Sequence, residues 1–272
     1  MICQKPENRF YFSIIHHKIG FNEVRPSEQR AGEVGLHPLG YILLNYDYDM
    51  KGKKKIFIAT TNKSKLRPFT MAWEKLGLDE YYHLVNLAEL ELLGDIKIKE
   101  DTGSFEGDAL KKAEGYSRII NLPTIAIDRG IEFEALDGWP GTKTKEVFSG
   151  SDKTIFNFEA LKLNLTGNEL DIKRSQAILN KIKDKDRGVK SVYGIAIIFP
   201  SGEKTSELVT VEGRVAYKLK ITSTGYFYDW FFIPKGYNKT LSEFSEHDYL
   251  EFVSETLWPI PDRIRKFLME RY

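Results

Sequence analysis

Four residues have the types and placing that invite chemistry: the carboxylates Asp101 and Asp128 and the lysines Lys65 and Lys112. Asp101 stands in Glu100-Asp101-Thr102-Gly103-Ser104-Phe105, and Asp128 opens Asp128-Arg129-Gly130. Between them the pattern predicts a helix from Phe105 to Ile120, carrying Lys111 and Lys112. A strand follows, Thr124-Ile125-Ala126-Ile127, with Asp128 at its C-terminal end. A carboxylate at the mouth of a strand, next to a glycine, is a common seat of catalysis in α/β folds. Asp before Gly also starts ordinary turns, so this stretch alone decides nothing.

Lys65 belongs to a second such place. The apolar run Ile56-Phe57-Ile58-Ala59 reads as a buried parallel strand. It runs into Thr60-Thr61-Asn62-Lys63-Ser64-Lys65 and a helix to about Leu76, with Leu66, Phe69, Trp73 and Leu76 on its apolar face. Strand, polar turn and helix present backbone N–H groups and a helix N-terminus to an anion, and Thr60, Asn62 and Lys65 add hydroxyl, amide and ammonium. The glycines of a Walker A loop are absent. A plain capped helix is the other reading.

The elements that must position these groups follow in order. Leu84-Val85 and Ile96-Lys97-Ile98 read as short strands, and Phe105, Ala109, Leu110, Ala113 and Tyr116 form the buried stripe of the central helix. Ile131–Leu136 alternates as a strand, and Asp137-Gly138-Trp139-Pro140-Gly141 is a turn. Helices are expected near 152–163 and 173–184, and the charge run from Lys181 to Lys190 reads as a solvated helix end. Ser191–Phe199 and Thr205–Val215 form a hairpin about Ser201-Gly202. Gly225-Tyr226-Phe227-Tyr228-Asp229-Trp230-Phe231-Phe232 packs six aromatics around one aspartate. Such a cluster suits core, and it also suits stacking and hydrogen bonding of a nucleobase. Pro261–Tyr272 reads as an amphipathic helix.

The whole chain has 272 residues, with 40 Lys plus Arg against 39 Asp plus Glu, giving a net charge of +1. That balance offers no global argument for nucleic-acid or membrane-surface partners. A single cysteine, Cys3, excludes an intrachain disulfide and a cysteine-based metal site. No apolar run reaches the length of a membrane span, and the start lacks the pattern of a secretory signal, so a cytoplasmic setting is expected. Residues 1–49 show no clear period; they are read as an N-terminal extension, disordered or not native, ahead of a domain spanning 50–272 that starts at Met50.

Taken in order, these pieces resemble the inosine triphosphate pyrophosphatase family, which removes non-standard purine nucleotides. The resemblance spans roughly Lys54 to Phe244. Ile58–Lys65 is similar to the family's Thr-x-Asn-x-x-Lys phosphate loop, and Glu100–Gly103 with Phe105 and Ala109–Ala113 to its acidic loop and helix. Leu122-Pro123, Asp128, Gly130 and Trp139-Pro140-Gly141 follow the segment of the catalytic aspartate. Gly225–Asp229 resembles the base-stacking loop, and Lys239-Thr240 with Glu243 the Lys-Thr-x-x-Glu motif.

The resemblance implies an α/β fold with one elongated mixed sheet flanked by helices, two lobes and a central cleft. It implies a hydrolase that cleaves nucleoside triphosphates to monophosphate and pyrophosphate, and a homodimer. Asp128 is then the base and Lys65 its catalytic companion. Asp101 and Asp128 hold Mg²⁺, and Thr60, Asn62, Lys65, Lys112, Tyr226, Asp229 and Lys239 bind the nucleotide. The departures are equally specific. Arg129 replaces a serine; Gly107-Asp108 replaces Glu-Asn; Thr142–Lys145 replaces Tyr-Ser-Ala-Arg; Trp230 replaces proline. The late lysine and the Ser-His-Arg motif that hold the purine are missing, the nearest residues being Tyr249, Ser254 and Glu255. The phosphate half is kept and the base half rewritten. An altered base preference is expected, with ITP and XTP not strongly favoured for want of a donor, and with Arg129 and Lys143 as the donors to test otherwise. The alternative is a catalytically weak nucleotide-binding protein on the same fold.

Overall fold

The computed structural model describes residues 35–36, 42–43, 49, 52–60, 62–87, 96, 98–149, 167–222, 227–256 and 259–271. The expected helix near 152–163 and the stacking residue Tyr226 lie outside them. Two short strands, β1 (Gly35–Leu36) and β2 (Ile42–Leu43), pair antiparallel. The main sheet is mixed. It comprises β3 (Lys54–Ile58), β4 (Tyr82–Asn86), β5 (Thr124–Phe133), β6 (Pro140–Gly141), β7 (Gly188–Ile198), β8 (Lys204–Val215) and β9 (Phe232–Pro234). The strand order is β4-β3-β5-β7-β8-β9, with β6 on β5. β3 runs parallel to β4 and β5, and the remaining pairings are antiparallel. Among the described residues no helix is long and apolar enough to cross a membrane.

Strand alternation sorts the core into two faces. Ile125, Ile127, Ile131 and Phe133 of β5 join Tyr193, Ile195 and Ile197 of β7 on one face. Helices α1 (Lys63–Lys75), α4 (Gly167–Lys181), α5 (Glu246–Thr256) and α6 (Pro259–Arg271) cover it through Phe69, Trp73, Ile178, Phe252 and Leu268. The opposite face mixes Phe57, Val85 and Ile198 with small residues. Ala59, Ala126 and Ala196 lie under α2 (Phe105–Ile120), which buries Ala109, Ala113, Tyr116 and Ile120 there. The short α3 (Thr144–Ser149) follows β6. The expected α/β architecture with a mixed sheet between helices is what forms.

Three local expectations change. The strand read as ending at Ile127 continues through Asp128, Arg129 and Gly130 to Phe133, because β7 pairs with it along its whole length. Gly130 is therefore no turn residue. It is there because a Cβ would come within 2.6 Å of the Gly141 carbonyl oxygen, the Phe105 ring and the Thr144 hydroxyl. Glu134–Leu136 closes β5 as a 3₁₀ turn and is not part of a strand. Ile96 and Ile98 carry no strand pairing; the Ile96 carbonyl instead accepts from the Tyr116 hydroxyl at 2.6 Å, docking that segment on α2.

The approach of α2 to the sheet rests on Gly194, the cross-strand partner of Asp128. A Cβ there would lie 2.2 Å from the Phe105 carbonyl carbon and oxygen, which are backbone atoms of the helix start and cannot swing aside. We expect Gly194→Ala to destabilise the protein by about 1–3 kcal/mol, the usual cost of overpacking. It should also lower catalytic activity by lifting the N-terminus of α2. Chemical denaturation with a parallel activity assay tests this, and an unchanged midpoint would refute the close packing.

Candidate active site

β3 and β5 run side by side only from Phe57↔Thr124 to Ile58↔Ile125, with flanking bonds from Phe57 N–H to the Pro123 carbonyl and from Ala59 N–H to the Ile125 carbonyl. Beyond that β3 turns away into α1, and the β3-facing edge of β5 opens at Ile127 and Asp128. Asp128 thus does stand at the C-terminal mouth of the parallel pair, although its own strand runs on. Open backbone at such a divergence needs a partner. Lys65 supplies it: its Nζ donates to the Ile127 carbonyl at 3.1 Å and to Asp128 Oδ1 at 3.3 Å.

The turn before Lys65 is shaped by its own residues. The buried Thr60 hydroxyl accepts from Asn62 N–H at 3.1 Å, and the Asn62 carbonyl accepts from the N–H groups of Lys65 and Leu66 at 3.0 Å each. Thr60, Asn62 and Lys65 therefore come together at the start of α1, as their spacing predicts.

The second lysine arrives from the opposite face. Lys112 on α2 pairs with Glu100 Oε1 at 2.8 Å, and both side chains are largely buried. Asp128, Lys112 and Glu100 are all electrostatic neighbours of Lys65. Burial is the largest influence on Lys65 and pulls its pKa down; Asp128 opposes that pull, Lys112 adds to it and Glu100 opposes it. A buried ammonium in this setting gains from any further negative charge brought in by a ligand.

Glu100, not Asp101, is the acidic-loop carboxylate in this group. Asp101 is the more exposed of the two and is held by Lys111 and by Lys99 at 2.9 Å. Those two lysines, Lys111 first, lower its pKa to about 2. Adjacent carboxylates look alike in a row of letters, and spacing alone does not separate Glu100 from Asp101. The signal lay in α2, where Lys111 and Lys112 point in different directions and sort the two acids between them.

The acidic loop is fixed by the two residues that depart from the family pattern. Asp108 is buried and accepts from both the N–H and the hydroxyl of Thr102, at 2.8 and 2.9 Å. Gly107 makes room for that fold-back, since a Cβ would lie 2.5 Å from Thr102 Oγ1 and 2.7 Å from Ser104 Oγ. Ser104 caps α2 by accepting from Gly107 N–H. Gly107 and Asp108 are thus a matched pair.

The remaining expected residues divide. Asp229 lies in a 3₁₀ turn (Phe227–Trp230), where its carboxylate faces Arg129 at 3.8 Å. Lys239 pairs with Asp248 at 2.7 Å and lies over the Phe244 ring, tying the segment before α5 to that helix. Of the late positions, Ser254 bonds the Leu250 carbonyl and Lys75, and Glu255 accepts from Tyr237. Among the described residues no three His, Cys, Asp or Glu side chains form a ready-made metal cluster.

Comparison with known proteins bears on this arrangement. The Ham1 family model matches residues 56–251. A dITP/XTP pyrophosphatase of Aliarcobacter butzleri is 32% identical over 209 residues, covering 73% of this chain and 90% of that protein. One of Oceanobacillus iheyensis is 31% identical over 192 residues, covering 70% and 86%. Among solved structures, a HAM1 protein from Coxiella burnetii is similar with a TM-score of 0.59 at 22% identity, over 79% of this chain and 98% of that one. The Staphylococcus aureus Ham1 protein gives 0.57 at 24% identity, over 80% and 100%. The matched region runs from the middle of β3 into α5 and so contains every side chain of the Lys65–Asp128–Lys112–Glu100 group: the chain belongs to the Ham1 family, the inosine triphosphate pyrophosphatase group that its motifs resemble.

Proposed function

We propose that the protein hydrolyses nucleoside triphosphates, non-standard purine nucleotides among them, to the monophosphate and pyrophosphate, with base contacts that differ from those usual in the family. The observation that carries this reading is the Lys65–Asp128 pair at the open end of β3 and β5, with Lys112 and Glu100 beside it. Two ammonium groups set mostly out of solvent suit a triphosphate. A carboxylate held by one of them, Asp128 on Lys65, suits the task of taking a proton from water. A protein that merely binds nucleotides has no use for that carboxylate, which favours an enzyme over a weak-binding relative.

In this reading the phosphates bind Lys65 and Lys112 and the N–H groups at the start of α1. Lys65 exchanges Asp128 for phosphate oxygen, leaving the Asp128 carboxylate to accept the proton of the attacking water. The water oxygen bonds to the α-phosphorus as the bond from that phosphorus to the bridging oxygen breaks, and pyrophosphate leaves. The donor set fits Mg²⁺: Asp128 and Glu100 offer hard carboxylate oxygens, and the substrate's phosphates can complete the shell. When bound, the ion would neutralise charge on the leaving group. Glu100 takes over here the role that the sequence assigned to Asp101.

A panel of ITP, XTP, dITP and the standard nucleotides with Mg²⁺, assayed for pyrophosphate, tests the activity; release from none of them would end this reading. Asp128→Asn should lower turnover by on the order of 10²–10⁴-fold while nucleotide still binds; retention of wild-type turnover would remove Asp128 from the role of base. For the metal, Glu100→Gln should raise the Mg²⁺ concentration giving half-maximal rate, whereas Asp101→Asn should leave it nearly unchanged. The reverse pattern in Mg²⁺ titrations would return the role to Asp101.

A further inference from the structure

Tyr217 is the most exposed large hydrophobic side chain among the described residues, with 77% of its surface in solvent. It stands just past the end of β8, outside the core. Its ring lies against Arg187, whose guanidinium carbon is 4.3 Å from the ring centre. Arg187 is itself fixed: Nε donates to the Val215 carbonyl at 2.8 Å and Nη2 to the Ala216 carbonyl at 2.5 Å. A guanidinium locked to the end of β8 therefore backs one face of the ring, and the high exposure leaves the other face to solvent.

The ground around this ring is basic. Lys185 stands two residues before Arg187, Arg214 pairs across the strands with Gly188, and Lys218 adjoins Tyr217. All three are exposed, as is Lys183, and none of the four is in an ion pair among the described residues. Other lysines nearby do have partners: Lys220 faces Glu243 at 3.3 Å and Lys235 faces Glu212 at 2.7 Å. Of the two acids in the stretch before β7, Asp184 and Asp186, the second is turned to its own backbone and accepts from Gly188 N–H at 2.6 Å. The whole chain carries only +1, so this positive balance is local. Unpaired cations gathered in one place repel one another and gain from an anionic partner.

We propose that this surface binds single-stranded nucleic acid, a base stacking on the open face of Tyr217 while Lys185, Arg214 and Lys218 take the flanking phosphates. Every base has a π face, and the lysines read charge alone, so binding is sequence-tolerant and strongly salt-dependent. Charge with a single stacking ring suits such a strand better than a membrane. The apolar area on offer, Tyr217 with Ile221 at 49% exposure, is small beside the apolar face that an interfacial segment buries in lipid. The surface draws on none of Lys65, Lys112, Glu100 or Asp128, so it stands or falls apart from the hydrolase reading.

Fluorescence anisotropy of a labelled oligothymidine of about twelve nucleotides, titrated with the full chain, tests this. Binding should be present in about 50 mM salt and weaken roughly twenty- to fiftyfold by about 200 mM, as three or four phosphate contacts require. Tyr217→Ala should weaken it by roughly an order of magnitude, the value of one stacked base. The double variant Lys185→Glu, Lys218→Glu should weaken it at least as much and flatten the salt dependence. Dextran sulfate, which has charge but no bases, should compete equally well with the wild type and with Tyr217→Ala. Both variants should keep the circular-dichroism spectrum and the nucleotide hydrolysis of the wild type. Absence of binding at the lower salt would overturn the proposal. So would a Tyr217→Ala that binds the oligonucleotide as the wild type does, or that loses dextran sulfate to the same degree. Phosphatidylserine vesicles bound more tightly than the oligonucleotide, and released by the same substitutions, would assign the surface to a membrane instead. Should Tyr217→Ala not fold, Tyr217→Leu, which keeps an apolar contact for Arg187 without a stacking face, is read in the same way.

Discussion

The bond from Lys65 to the Ile127 carbonyl and Asp128 closes the place where β3 leaves β5. Parallel strands that diverge leave one edge of backbone without a ladder partner, and that edge must be satisfied or wet. One lysine from the start of α1 does both jobs: it caps the open strand and holds the carboxylate that the strand presents. The placement of Asp128 is therefore not separable from the fold. α1 must begin where it does for Lys65 to reach, and the Thr60–Asn62 turn sets that starting point.

The second dependence runs through the thin face of the sheet. Ala126, Ala196 and Gly194 leave room for α2 to lie close above β5 and β7. That closeness brings Lys112 and Glu100 within electrostatic reach of Lys65. Gly107 and Asp108 fold the acidic loop back on the helix start, so Glu100 rather than Asp101 faces inward. Four charged side chains, from two helices, one strand and the acidic loop, thus come near one another, and the small residues under α2 help to allow it.

Asp128 and Arg129 show how one strand serves two environments. Alternation sends the carboxylate to the lysines and the guanidinium to Tyr193, Tyr228 and Asp229. The two sites share a backbone but not a face. The two environments can then change independently, and this chain keeps the lysine–carboxylate group while its aromatic side carries an arginine.

Much of this was readable in the letters. Local patterns revealed the strand-turn-helix around Thr60 and Lys65, the stripe of α2, the hairpin of β7 and β8, and the resemblance that ties them together, because each depends on residues close in sequence. The run of β5 through Asp128 was not legible: Asp-Arg-Gly looks like a turn until β7 is seen to pair along it and Gly130 to be pinched between Gly141, Phe105 and Thr144. Nor was the choice between Glu100 and Asp101, which depends on where two adjacent lysines of a helix point, or the meeting of Arg129 with Asp229 across a hundred residues of chain. The sequence by itself determined which residues carry charge and which elements they ride on. Only the tertiary structure decided which charges meet, because that depends on close approaches between elements that no local spacing records.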